Sequence, residues 1–133
     1  MGQKYLIDTN VISHLFLDKL PDKGKEFVKN VVNTDFIISV AVEIEVLTYH
    51  SNSDKMPLIE EFIKLAVILP LDKEITKKAI EIRRQYKKLK LGDAIIAATA
   101  IVHQLTLISN NTKDFINIKG LKIIDPHTLE VRP

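Results

Sequence analysis

The chain has 133 residues, 46% hydrophobic and 27% charged, with no cysteine and a formal net charge of +2. That balance excludes a disordered tail, a disulfide-framed scaffold and thiolate chemistry, and so small a charge excess does not by itself announce a nucleic-acid binder. The length suits one domain over residues 1–133; with no apolar run of membrane-spanning length and no signal-peptide hydrophobic region, a cytoplasmic protein is expected.

Tyr5-Leu6-Ile7 is a short unbroken apolar run, the pattern of a strand buried on both faces of a parallel sheet. It stops on Asp8, which places a carboxylate at the edge where open α/β sheets keep their ligands. Residues 11–16 read as a short helix ended near Pro21. Asp22 is expected to cap a second helix to about residue 32, with Phe27, Val28, Val31 and Val32 inward. Residues 36–39 form a second buried strand, 42–49 a helix, 51–54 a loop, and 56 to about 65 a helix carrying Leu58, Ile59, Phe62, Ile63 and Leu65. Residues 67–71 form a third strand, and Pro70, which cannot donate to a ladder, sends it to or near an edge.

Asp72 caps a basic helix whose apolar stripe is Ile75, Ala79, Ile82 and Tyr86. Asp93 opens a helix apolar nearly all round, which belongs inside. Residues 105–108 are a fourth strand, 112–115 a helical turn and 121–124 a last short strand. Strands alternating with helices require right-handed crossovers, so the expected fold is a three-layer α/β/α arrangement around a mainly parallel sheet. The segment containing Lys73, Lys77, Lys78, Arg83, Arg84, Lys87, Lys88 and Lys90 reads either as a solvated helix face or as a surface for a phosphate backbone.

Asp8, Glu45, Asp93 and Asp114 share a positional logic: each falls where a strand finishes or a helix starts, at the same end of the sheet. Carboxylates gathered there repel one another unless a divalent cation intervenes, and oxygen ligands without cysteine or a histidine cluster indicate Mg²⁺ or Mn²⁺. Each acid also has a plainer explanation. Asp8 and Asp93 suit N-caps, Glu45 a solvent-facing helix position and Asp114 a turn. Glu43 competes with Glu45, because two positions apart on a helix they face different sides, and periodicity does not choose between them. His14, His50, His103 and His127 are scattered and show no metal-ligand spacing.

Four fragments in order resemble the PIN domain, specifically the small VapC-type toxin ribonucleases: Leu6-Ile7-Asp8-Thr9-Asn10; Ile38-Ser39 followed by Glu45; Leu91-Gly92-Asp93-Ala94-Ile95-Ile96-Ala97-Ala98-Thr99-Ala100; and Ser109-Asn110-Asn111-Thr112-Lys113-Asp114-Phe115. The resemblance covers nearly the whole chain. It selects Glu45 over Glu43, and it implies Asp8, Glu45, Asp93 and Asp114 as catalytic and metal-site acids, with Thr9, Asn10, Ser109 and Asn111 as supporting polar groups. Two departures stand out: Tyr49 replaces a glycine common among relatives, at the cleft wall or the dimer contact, and Ser109 replaces a threonine.

The implied reaction is hydrolysis of RNA phosphodiesters assisted by one or two Mg²⁺ or Mn²⁺ ions, with Lys87, Lys88 and Lys90 holding the nucleic acid. A homodimer and an antitoxin partner are implied as well. The rival readings are an aspartate-based phosphotransfer enzyme with Asp8 as nucleophile, and a catalytically silent binding module whose acids merely cap helices.

Overall fold

The computed structural model describes residues 2–129 and the backbone of residues 131–132. In chain order the elements are β1 (Tyr5–Ile7), α1 (Thr9–Phe16), α2 (Asp22–Thr34), β2 (Ile37–Ser39), α3 (Val40–Tyr49), α4 (Met56–Ile63), β3 (Val67–Leu69), α5 (Lys73–Gln85), α6 (Leu91–Val102), β4 (Thr106–Ile108), α7 (Thr112–Phe115), β5 (Ile123–Ile124) and β6 (Val131–Arg132). β1 pairs in parallel with β4, β4 in parallel with β5, and β5 antiparallel with β6. β2 pairs in parallel with β3 and packs alongside β1. Helices cover both faces, and the architecture is the three-layer α/β/α fold with a mainly parallel sheet.

Leu6, Ile7, Ile38, Leu107 and Ile108 are fully buried, as strands covered on both faces require. β3 takes the edge beside β2, where Pro70 leaves no ladder donor missing, and Val67 is exposed there. α6 is the most deeply buried helix, with Ala94, Ile96, Ala97, Ala98 and Ala100 inaccessible to solvent. Its small side chains allow the close packing against α5 that a buried helix needs.

Two expectations are corrected. Asp22 does not cap α2: it is the first helical residue, Pro21 holds the cap position, and no side chain caps the helix end. Asp93 does not open α6 either. The helix begins two residues earlier at Leu91, so Asp93 lies within the first turn, and capping is not its role. Leu58 and Leu65 stand exposed, because α4 turns only Ile59 and Ile63 fully inward. Tyr86, just past the last residue of α5, packs half-buried against the core as its place on the stripe predicts, and its hydroxyl donates to the Asn117 carbonyl at 2.5 Å. Asp72 does cap α5, accepting from the Ile75 backbone N–H at 2.9 Å.

Candidate active site

The site begins with strand register. Ile7 of β1 stands opposite Ile108 of β4, and the Asp8 N–H donates to the Ile108 carbonyl at 3.0 Å, so the ladder continues one step past the strand. The next residues along the two strands, Asp8 and Ser109, are thereby delivered side by side. Both are buried. Ser109 Oγ donates to Asp8 Oδ2 at 2.7 Å, and the Thr9 N–H donates to Asp8 Oδ1 at 2.8 Å. Burial pushes the Asp8 carboxyl up from its ordinary range; these two hydrogen bonds oppose that shift, and the charge of Glu45 adds to it.

α3 brings the glutamate. Ser39 caps this helix by accepting from the Val42 N–H at 3.2 Å, and Glu45 then projects toward α1, where Thr9 Oγ1 donates to Glu45 Oε1 at 2.5 Å. One turn further along, the Tyr49 hydroxyl stands on the rim. It is held above its usual pKa by the charge of Glu45 first, then by burial and a hydrogen bond to Glu45, and by Asp93 and Asp8. The link from Ser13 Oγ to His50 Nε2, 2.8 Å long, holds the end of α3 against α1.

Asp93 enters from α6. Its carboxyl is pushed up to about 6 by burial, then by the charges of Asp8, Glu45 and Asp114, with Lys90 pulling the other way. The four acids therefore share one electrostatic neighbourhood. Asp114 is the outermost: it is exposed on α7, accepts from Asn111 Nδ2 at 3.1 Å, and is seated by the fully buried Phe115 beside it. Burial of that ring, about 2–3 kcal/mol, is what fixes so short a helix. The Asn111 N–H also donates to Ser109 Oγ at 3.0 Å, so the α7 turn and Asp8 hang on one hydroxyl.

Not every candidate joins the cluster. Asn10 is exposed and has no side-chain partner among the described residues. Lys90 acts on Asp93 from the start of α6, whereas Lys87 lines a groove between α5 and α6, and Lys88 is exposed. Gly92 was quoted only as part of a motif, but it has a geometric role. A Cβ there would come within 2.8 Å of Glu45 Oε2, so the absent side chain is what leaves room for that carboxylate.

Two predictions follow from this geometry. Gly92→Ala displaces the flexible end of Glu45 rather than any backbone, and the helix gains about 1 kcal/mol of propensity. The melting temperature should hold or rise while activity drops by about 10- to 100-fold, the scale for losing an orienting contact at a metal site. A parallel fall in both would overturn this account. The second prediction concerns pH. A carboxyl whose folded pKa is raised binds its proton more tightly in the folded chain, so the stability Asp93 contributes is full at low pH and is lost as pH rises through about 6. Between pH 4 and 7 the metal-free protein should lose about 1–2 kcal/mol on this account, after discounting for partial solvent screening. Denaturation midpoints in chelator should show that slope flattened in Asp93→Asn.

The site's donors are carboxylate, hydroxyl and amide oxygens, and the salt bridges among the described residues, Lys25–Asp18, Lys64–Glu61 and Lys78–Glu81, leave all four acids without a cationic side chain in contact. Among the described residues no three His, Cys, Asp or Glu side chains are arranged around one point, since Glu45 turns to Thr9 and Asp114 to Asn111. The donor set still fits a hard divalent cation, Mg²⁺ or Mn²⁺.

The PIN domain family model matches residues 5–121. The chain belongs to the PIN-domain family. The chain is 32% identical over 128 residues to the ribonuclease VapC1 of Rickettsia felis, a match covering 90% of this chain and 93% of that protein. It is also similar to a solved toxin–antitoxin complex from Klebsiella pneumoniae, with a TM-score of 0.77, 30% identity, and 92% and 98% of the two chains covered. VapBC2 from Rickettsia felis, solved with a DNA fragment from its promoter, shares the PIN fold at a TM-score of 0.76 and 23% identity, over 91% of this chain and 97% of that one.

Proposed function

We propose that this PIN domain is a Mg²⁺- or Mn²⁺-dependent endoribonuclease and the toxin of a toxin–antitoxin pair. The observation that carries the reading is the unneutralised set Asp8, Glu45, Asp93 and Asp114 gathered near the strand ends, where burial first, and then the charges of Asp8, Glu45 and Asp114, push Asp93 up to about 6. The likeness to ribonuclease VapC1 and to a toxin–antitoxin complex supports it.

Asp8, Asp93 and Asp114 are the side chains to hold the cation, which when bound supplies charge neutralisation and acidifies an attacking water. Ser109 and the Thr9 N–H fix both oxygens of Asp8, so that carboxylate meets the ion in one orientation. Thr9 holds Glu45 in reach to accept the proton of the attacking water. Lys90, beside Asp93, offers its charge to the RNA phosphate, and the basic surface of α5 with Lys87 and Lys88 adds sequence-blind, salt-sensitive affinity. A homodimer completes the reading: exposed Leu71, Ile80 and Leu91 lie at or beside a groove of about 510 Å³ between α5 and α6, an apolar surface of the kind that subunits cover.

The rivals fare less well. A nucleophilic Asp8 needs room for a phosphoryl group at one of its oxygens, and the residue is only 4% exposed. Acids that merely cap helices would not include Asp93. The test is incubation with structured RNA in Mg²⁺ or Mn²⁺, with and without chelator, reading the new RNA ends by sequencing. Chelator-sensitive internal cleavage is expected. Cleavage that survives chelator, absence of cleavage with either ion, or an alkali- and hydroxylamine-labile aspartyl phosphate would overturn the proposal.

A further inference from the structure

Two histidines 113 positions apart in the chain meet in the fold. His14 lies in the last turn of α1, and His127 in the turn after β5. Their nitrogens Nδ1 and Nε2 are 3.0 Å apart, and the rings stand edge to face with centroids 5.1 Å apart. Asn110, from the β4–α7 connection, brings its Nδ2 to 3.4 Å from the same His14 nitrogen. Its other amide atom, Oδ1, is buried with no hydrogen-bond partner among the described residues. Asp125 accepts from the His127 backbone N–H at 2.8 Å, which pins the turn.

This network is internally short of partners. An imidazole nitrogen carries one proton or one in-plane lone pair, not both. If His14 Nδ1 accepts from His127, it has no lone pair left for the Asn110 amide. If it donates to His127, its own N–H faces the N–H of that amide. With the amide oriented as it stands, both states leave a polar contact unmade and the buried Oδ1 unpaired; turning the amide lets Oδ1 accept from His14 Nδ1–H, and a cation can take the place of that proton. A cation resolves the conflict, because both imidazoles then present lone pairs and a turned Asn110 amide presents its oxygen.

The distance suits such an ion. Metal–nitrogen bonds of about 2.0–2.1 Å to nitrogens 3.0 Å apart enclose an angle of about 95°, between the octahedral and tetrahedral values. We propose that His14, His127 and Asn110 form a binding site for a borderline divalent transition-metal ion such as Zn²⁺, Co²⁺ or Ni²⁺, separate from the acidic cleft. Two imidazoles and an amide oxygen do not select Mg²⁺. No third histidine or carboxylate completes the set among the described residues, so water fills the remaining positions and the site binds more weakly than a closed zinc site. Occupancy ties the end of α1, the β4–α7 connection and the turn after β5 at one point, and it does not depend on the nuclease reading.

The test is calorimetric titration of Zn²⁺, with Co²⁺ absorbance in parallel, into the full chain in excess Mg²⁺. One equivalent should bind wild type and Asp8→Asn alike. His14→Gln and His127→Gln should each weaken binding by about tenfold or more, while Asn110→Asp, which supplies a carboxylate in place of the amide, should tighten it. In the wild-type protein, Zn²⁺ should move the imidazole NMR signals of His14 and His127 before those of exposed His103, a readout that needs no variant to fold. No binding to wild type, binding as tight in both histidine variants as in wild type, or shifts confined to other histidines would overturn the site.

Discussion

Asp8→Asn is expected to reduce RNA cleavage on the order of 10²- to 10³-fold, the scale of losing several kcal/mol of charge stabilisation at the reacting phosphate. The same change should leave the melting temperature at pH 7 unchanged or raised. The two outcomes together are the informative result. Asparagine can repeat the local hydrogen bonds: its Oδ1 accepts from the Thr9 N–H, and its Nδ2 donates to Ser109 Oγ, which still has a lone pair beside the one used by Asn111. What disappears is a buried negative charge beside Glu45 and Asp93, and removing it relieves repulsion. If Asp8 were merely a helix cap, asparagine would cap equally well, and the variant would keep both its stability and whatever activity the protein has. Cleavage rates and thermal melts on the same preparation separate the two.

Gly24→Ala should have the largest effect on stability, although Gly24 lies in α2 rather than in the cleft. A Cβ at position 24 would sit 1.8 Å from the Pro126 carbonyl oxygen, a backbone atom that cannot swing aside. Overpacking of this kind costs about 3 kcal/mol or more, and the helix propensity gained by alanine returns only about 1 kcal/mol. The net loss of about 2 kcal/mol or more should lower the melting temperature by about 8 °C in a chain of this size. An unchanged or higher melting temperature would mean that α2 and the segment after β5 do not pack as described. The contrast with Gly92→Ala is useful, because there the obstructing atom is the tip of a flexible side chain.

Much of this was legible in the sequence because it follows from short-range pattern. The Tyr5–Ile7 run ending on Asp8, the helix capped by Asp72 and the edge strand marked by Pro70 each need only a few neighbouring residues to be read. The misreadings occurred where a polar residue near a helix start had two roles open to it. Asp22 and Asp93 both look like caps, yet Pro21 and Lys90 occupy the cap positions, because where the backbone leaves the extended region is settled by packing further along the helix. Periodicity was silent between Glu43 and Glu45. The discriminating signal is Gly92, which leaves a gap that only Glu45 fills, and a gap between two helices has no trace in either helix alone. The meeting of His14 with His127 is illegible for the same reason: spacing rules detect ligands on one element, and these come from opposite ends of the chain.

The pairing of Ile7 with Ile108 carries a final consequence for how such a chain tolerates change. Side chains along a strand alternate in direction at every step, so losing or gaining a single residue between Tyr5 and Asp8 would swing the carboxylate away from Ser109 and exchange the two faces of a strand that is buried on both. The residues just before Tyr5 are tied in as well, because the Lys4 carbonyl accepts from the Thr106 N–H and Gln3 Nε2 donates to Thr106 Oγ1, whereas loops such as the one after α3 can drift. Three consecutive codons, by contrast, permit substitution among similar apolar residues but no insertion or deletion, and hydrolytic competence would vanish in one such event while most of the hydrophobic interior stayed assembled.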